Sequence, residues 1–148
     1  MEAVKSIHMK ILFPKILLGL LGLAFAKTGI ETLINPQAVL DQVGIVLTNT
    51  SALSSMRAVY GGMHLVFGLF CLYGIFRNQA AALTLVILYT AGFTLGRLSG
   101  ILVDGPPNSF VITWLFTEIA SGALATWALI IVIQEAGRTA TISRSIQL

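Results

Sequence analysis

Charge is what this chain has least of. Nine Lys and Arg with six Asp and Glu make up 10% of its 148 residues, where a soluble domain carries about 25%. So few charges cannot cover a water-facing surface, and this excludes an ordinary soluble enzyme. The 56% hydrophobic content excludes a disordered chain, and the composition does not match collagen. A lone cysteine, Cys71, excludes a disulfide framework and any metal-binding cysteine pair. Internal repeats, low-complexity segments and linkers are also missing, so the chain reads as a single domain over residues 1–148. What is abundant is apolar length: mean hydropathy is +0.89, the signature of an integral membrane protein.

A spanning helix needs about 20 mostly apolar residues. Four windows qualify: Ile11 to Ile34, Ala52 to Phe76, Ala80 to Leu102 and Phe110 to Ile133. Lys5 and Lys10, the run Ile16 to Ala26 and the triplet Ala24-Phe25-Ala26 share the layout of a signal peptide, but the segment is read as a retained span. After it, Asn35 suits a helix cap and Pro36 a first helical position. Val39, Leu40, Val43, Val46 and Leu47 then fall on one side, predicting a short amphipathic helix at the membrane interface. Thr48-Asn49-Thr50-Ser51 turns the chain back. Arg77-Asn78-Gln79 demands a tight hairpin, and Asp104-Gly105-Pro106-Pro107-Asn108 is a strong turn. The expected fold is an all-α membrane protein, an antiparallel bundle of four transmembrane helices with a short interfacial helix between spans one and two.

Charge placement predicts orientation. Lys5, Lys10, Lys15, Arg77, Arg138 and Arg144 against Glu2 and Glu135 give the side holding both termini a net +4. The other side carries Lys27, Arg57 and Arg97 against Glu31, Asp41, Asp104 and Glu118, a net −1. The Lys/Arg excess predicts cytoplasmic termini in a multi-pass protein of the bacterial inner membrane. On this reading the pI of 9.4 reflects topology, and no nucleic-acid partner is implied. Trp114 and Trp127 suit the two interfacial belts.

With that topology imposed, the embedded polar residues gather in the outer half. Glu31, Arg57 and Arg97 fall near the outer boundary, and His64 and Glu118 roughly 10 to 12 Å below it at the helical rise. Arg57, Tyr60, Gly61, His64 and Gly68 recur as one stripe on span two. Tyr89, Phe93 and Arg97 align on span three, Trp114, Glu118, Ser121, Gly122 and Ala125 on span four, and Lys27 and Glu31 pair on span one. Charges facing lipid are costly, so these side chains are expected to point inward and pair. Three cations then meet two acids. If Asp104 faces water instead of joining them, a positive charge is left over for an anion such as a lipid phosphate or carboxylate. If Lys27 snorkels outward, the set is neutral.

Each feature has a structural and a functional reading. Arg57, Arg97, Glu31 and Glu118 either lock helices together or line a pocket. His64 is either a satisfied hydrogen-bond partner or, with Glu118, an acid–base pair moving a proton. No metal site is expected, because His8 lies in the tail and Cys71 is roughly 10 Å along the helix from His64. Nothing calls for a cofactor. Gly92, Gly96 and Gly100 form a GxxxGxxxG ridge expected to pack against another span or a second protomer, and Gly61-Gly62 leaves room for a helix or a head group.

The run Arg57-Ala58-Val59-Tyr60-Gly61-Gly62, with Gly68, Gly96-Arg97, Asp104-Gly105-Pro106 and Glu118, resembles a bacterial family of small four-helix membrane proteins. That family is known as a domain of unknown function and loosely grouped with DoxX-like proteins. The resemblance covers Lys15 to Glu135 and implies the same fold without implying a reaction. Some DoxX-like members are linked to quinone or sulfur redox chemistry, which this chain, without a cysteine pair, does not inherit.

The leading expectation is therefore a membrane protein binding a lipid, or another small amphipathic or anionic molecule, in a polar pocket lined by Glu31, Arg57, Tyr60, His64, Arg97 and Glu118. One alternative is a structural or accessory subunit, in a homo-oligomer or a larger membrane complex. Another is a membrane enzyme using His64 and Glu118 for proton transfer.

Overall fold

The computed structural model describes the backbone of residues 2–146 and the side chains of residues 12–138 and Thr141. The topogenic charges Glu2, Lys5, Lys10 and Arg144, and the tail residue His8, lie outside the described side chains. The chain runs α1 (Glu2–Ile34), α2 (Pro36–Leu40) continued by a 3₁₀ turn (Asp41–Val43), α3 (Thr50–Met56), a π-helical segment (Arg57–Gly62), α4 (Met63–Phe76), α5 (Gln79–Asp104) and α6 (Ser109–Ile146). Among the described residues there is no strand. α3, the π segment and α4 form one continuous rod, so four long helices make an antiparallel bundle. They pack in the ring α1–α4–α5–α6, with α1 mainly against α4 and α5 mainly against α6.

Asparagine sets the start of α2, α3, α5 and α6. Asn35, Asn49, Asn78 and Asn108 are the chain's four asparagines. Each accepts a hydrogen bond at Oδ1 from a backbone N–H three residues on: Ala38, Ala52, Ala81 and Val111. This satisfies a donor that the first helical turn cannot pair internally. The Asn49 cap starts span two at Thr50, two residues before the Ala52 expected from the apolar run.

The short helix expected at the interface, α2 with its 3₁₀ turn, is shorter than its apolar pattern predicts. Gly44 takes a left-handed conformation at φ +73° and stops it after Val43, leaving Val46 and Leu47 beyond the helix. Gln37 folds the exit back by donating to Ile45 O and accepting from Leu47 N. Leu40 and Pro36 are buried beneath, and Asn108 donates to Gln42 O, tying the α5–α6 turn to this segment.

Four stretches are long and apolar enough to cross a membrane: Leu12–Ile34, Thr50–Phe76, Gln79–Asp104 and Ser109–Arg138. Their outward faces carry large exposed apolar side chains, with Leu102 85% and Phe76 84% exposed. Contiguous apolar surface on this scale is foreign to soluble monomers.

The interior divides along the bundle axis. Toward the α4–α5 hairpin it is aliphatic and tight, built from Leu17, Leu18, Cys71, Ala82, Leu83, Val86, Ala125 and Ala128. Toward α2 it turns polar and aromatic, with His64 and Glu118 buried.

Candidate functional site

The site begins with a break in helical register. Across Arg57–Gly62 the backbone bonds five residues back, as in Met63 N–H to Ala58 O, in place of the usual four. Such insertions are found mostly as single turns in otherwise α-helical segments, often at functional sites. Locally, Gly61 and Gly62 weaken the α-helical preference. Gly61 also lets the Leu33 side chain approach to 2.9 Å of where a Cβ would stand. The predicted stripe assumed an unbroken 3.6-residue period. The extra residue breaks that phase between Arg57 and His64.

Arg57 consequently serves α1. Its Nε donates to Leu33 O at 3.1 Å, satisfying a carbonyl in the last turn of α1, where a cation also complements the helix dipole. Glu31 pairs with Lys27 at 2.7 Å on the bundle's outside, the two side chains 51% and 72% exposed. The inward pairing expected of these charges is thus absent for Lys27 and Glu31. Asp104 is exposed.

Tyr60, His64 and Arg97 come together. They line a groove of about 600 Å³ between the π segment and α4 on one side and α5 on the other. The Tyr60 ring stacks on His64 with centroids 5.6 Å apart. Tyr89 reaches His64 from α5, its hydroxyl 2.6 Å from Nε2, while Nδ1 lies 3.4 Å from Val59 O. A carbonyl can only accept, so Nδ1 carries the proton and donates to Val59 O. Nε2 meets the Tyr89 hydroxyl, a group able to donate or accept. Both nitrogens of the imidazole are used. The chain His64–Tyr89 continues as stacked rings to Phe93, 4.6 Å from Tyr89. The Arg97 guanidinium carbon lies 5.9 Å above the Phe93 ring.

Glu118 stands behind Arg97 on α6. Arg97 Nε donates to both carboxylate oxygens at 3.0 and 2.8 Å, and its second terminal nitrogen donates at 2.9 Å. The carboxylate is buried and Arg97 only partly exposed, so the pair presents a nearly neutral wall to the groove. Among the described residues no hydrogen bond joins His64 to Glu118; each is engaged elsewhere. Among the described residues, three or more His, Cys, Asp or Glu do not gather as a metal site would require.

The groove mouth is apolar and opens sideways from the bundle, with Val59, Met63 and Leu88 about half or more exposed. Gly92 and Gly96 form its α5 floor, and a Cβ at either would meet nothing within 4 Å, as at Gly100. The GxxxGxxxG ridge therefore packs against no other span, contrary to the simplest expectation from the motif. Close helix contact occurs instead between α1 and α4. There a Cβ on Gly29 would lie 2.5 Å from Leu65 N, and one on Gly68 2.6 Å from Ala26 N and Gly22 O. Sequence reasoning missed Gly22 and Gly29, although their spacing with Ala26 on one face of α1 was visible. It also placed Tyr89 and Phe93 only on a stripe and did not identify them as the link between His64 and Arg97.

No curated protein and no solved structure matches this chain. Residues 13–129, which include every group of the groove and the α1–α4 seam, match the family described as Domain of unknown function (DUF4345), and the chain belongs to that family.

Proposed function

We propose that this is a multi-pass membrane protein that binds an amphipathic small molecule, in the first instance a membrane lipid, in the lateral groove between α4 and α5. One observation carries the reading: a hydrogen-bonded polar pair, His64 and Tyr89, sits inside a groove whose apolar mouth opens on the face a bilayer would cover. A molecule lying there could place its tail along Val59, Met63 and Leu88 and its head against Tyr60 and Arg97. In this reading Tyr60, His64 and Arg97 touch the ligand, Glu118 positions Arg97, and Arg57 and Glu31 serve the scaffold. The charge asymmetry supports cytoplasmic termini, and on that reading the groove's polar end faces the outer leaflet.

The test is native mass spectrometry of lipids retained after gentle solubilisation. Gly96→Leu fills open space on the groove floor, so it should keep the helicity and elution volume of the parent while losing the retained lipid. Full retention of lipid by a folded Gly96→Leu protein would falsify the groove as the site. The accessory-subunit reading has its own support in the open Gly92/Gly96/Gly100 face, which could seat a second protein helix. If Gly96→Leu converts a stable oligomer to a monomer with no lipid involved, that reading replaces ours.

A further inference from the structure

We infer that the groove takes an anionic lipid head group, a phosphate or a carboxylate, on the edge of the Arg97 guanidinium that Glu118 leaves unused; this inference rests on the groove-binding reading above. A guanidinium carries five N–H groups. Glu118 engages two of them: the Nε–H, shared between both carboxylate oxygens, and one N–H of Nη2. Two on Nη1 and one on Nη2 remain. The carboxylate therefore sits side-on, across Nε and Nη2, and the end-on edge formed by Nη1 and Nη2 is free. That edge presents two parallel N–H groups matched to two oxygens on one phosphorus or carbon. An anion can fill it without disturbing the Glu118 pair.

The free edge is open to a ligand. Nη1 has no hydrogen-bond partner among the described residues, and none of their buried side-chain nitrogens lacks one. Nη1 is therefore accessible, on a side chain that lines the groove and is 22% exposed. The ion pair is neutral in sum but has a direction: Arg97 lines the groove, whereas Glu118 is buried behind it. An anion in the groove meets the positive end first, and the closer charge dominates. Among the described residues no Asp or Glu lines the groove, so its wall holds no carboxylate to repel an anion and no counter-charge for a cationic head. A neutral hydroxyl or carbonyl would offer the edge a single uncharged oxygen. An anion takes both N–H groups in charge-assisted bonds, which are about twice as strong.

The experiment uses the delipidated full chain in maltoside micelles, which bring no phosphate or carboxylate, at a pH that ionises both acids used. Two pairs of photoactivatable lipids are compared, each pair sharing its diazirine-bearing chains: phosphatidic acid with diacylglycerol, and a fatty acid with the matching fatty alcohol. In at least one pair the anion should label groove residues such as Met63 and Leu88 about tenfold more strongly than its neutral counterpart, the worth of a charge-assisted hydrogen bond. The double variant Arg97→Gln/Glu118→Gln keeps a hydrogen-bonding pair without charge, and should remove that preference at the parent's helicity and elution volume. An excess of inorganic phosphate should leave the labelling intact, since free phosphate brings no tail. Equal labelling within both pairs, which needs no variant to fold, or a preference that survives in the folded double variant, would overturn the anion assignment and leave groove binding intact. Displacement by inorganic phosphate would give the edge to a free anion and overturn the lipid as its occupant. Labelling of the groove by none of the probes, or labelling unchanged in Gly96→Leu, would overturn the groove reading and this inference together.

Discussion

Two glycine series run along this bundle with opposite results. Gly22, Gly29, Gly61 and Gly68 draw α1 and α4 together until backbone meets backbone or the neighbouring Leu33 and Leu72 side chains, leaving no space for a methyl group. Gly92, Gly96 and Gly100 have the more regular spacing and the more familiar motif, yet they face open space. The same absence of a side chain closes one interface and opens a groove at the other. A small-residue ridge permits close approach; it does not specify a partner, because the neighbour's path is set by contacts elsewhere. For α5 those contacts are on α6, where Arg97 is clasped by Glu118 and Thr90 packs against Gly122.

This contrast can be broken from either side. The largest effect is expected on the open side, from the clasp behind the groove. Glu118→Ala leaves Arg97 charged and unpaired, and should lower stability by about 3–5 kcal/mol, read as a shifted midpoint in denaturant-titrated circular dichroism. A midpoint near that of the parent would mean that α5 holds its course without the clasp. On the closed seam, Gly68→Ala sets a Cβ against backbone atoms of Gly22 and Ala26 that cannot rotate away, and about 1–3 kcal/mol should be lost. Gly122→Ala should cost less than Gly68→Ala in the same titration, since its Cβ would meet the Thr90 hydroxyl at 2.8 Å, a side-chain group with some freedom to move. The smallest effect, opposite in sign, should come from Gly96→Ala. Nothing opposes the added methyl, so improved helix propensity makes it neutral or stabilising by up to about 1 kcal/mol. A loss at Gly96 comparable to that at Gly68 would show that the groove is closed by a partner in the membrane.

Much of the fold was legible because apolar length and turn chemistry are local properties. Four runs of about 20 apolar residues allow few arrangements, and the tight Arg77-Asn78-Gln79 link dictates an antiparallel neighbour. Asn108 and Gly105 announce the last turn in the same way. The errors arose where one residue changes phase or stops a helix. Gly44 ends the α2 segment short of Val46 because its backbone is left-handed. The π segment turns Arg57 away from the groove because one extra residue enters the turn. Of the six candidate site residues, Tyr60, His64 and Arg97 line the groove and Glu118 stands behind it. Glu31 and Arg57 were grouped with them by their place along the helix axis, counted from the helical rise; direction around the axis is lost at the first irregular turn.

The sequence by itself determined the all-α class and the number and approximate bounds of the long apolar helices, because each follows from local composition and a constant rise per residue. Only the tertiary structure decided which polar groups meet, which glycines touch a neighbour and where a groove remains. These depend on the rotation of each helix about its own axis, which is settled by packing against the others.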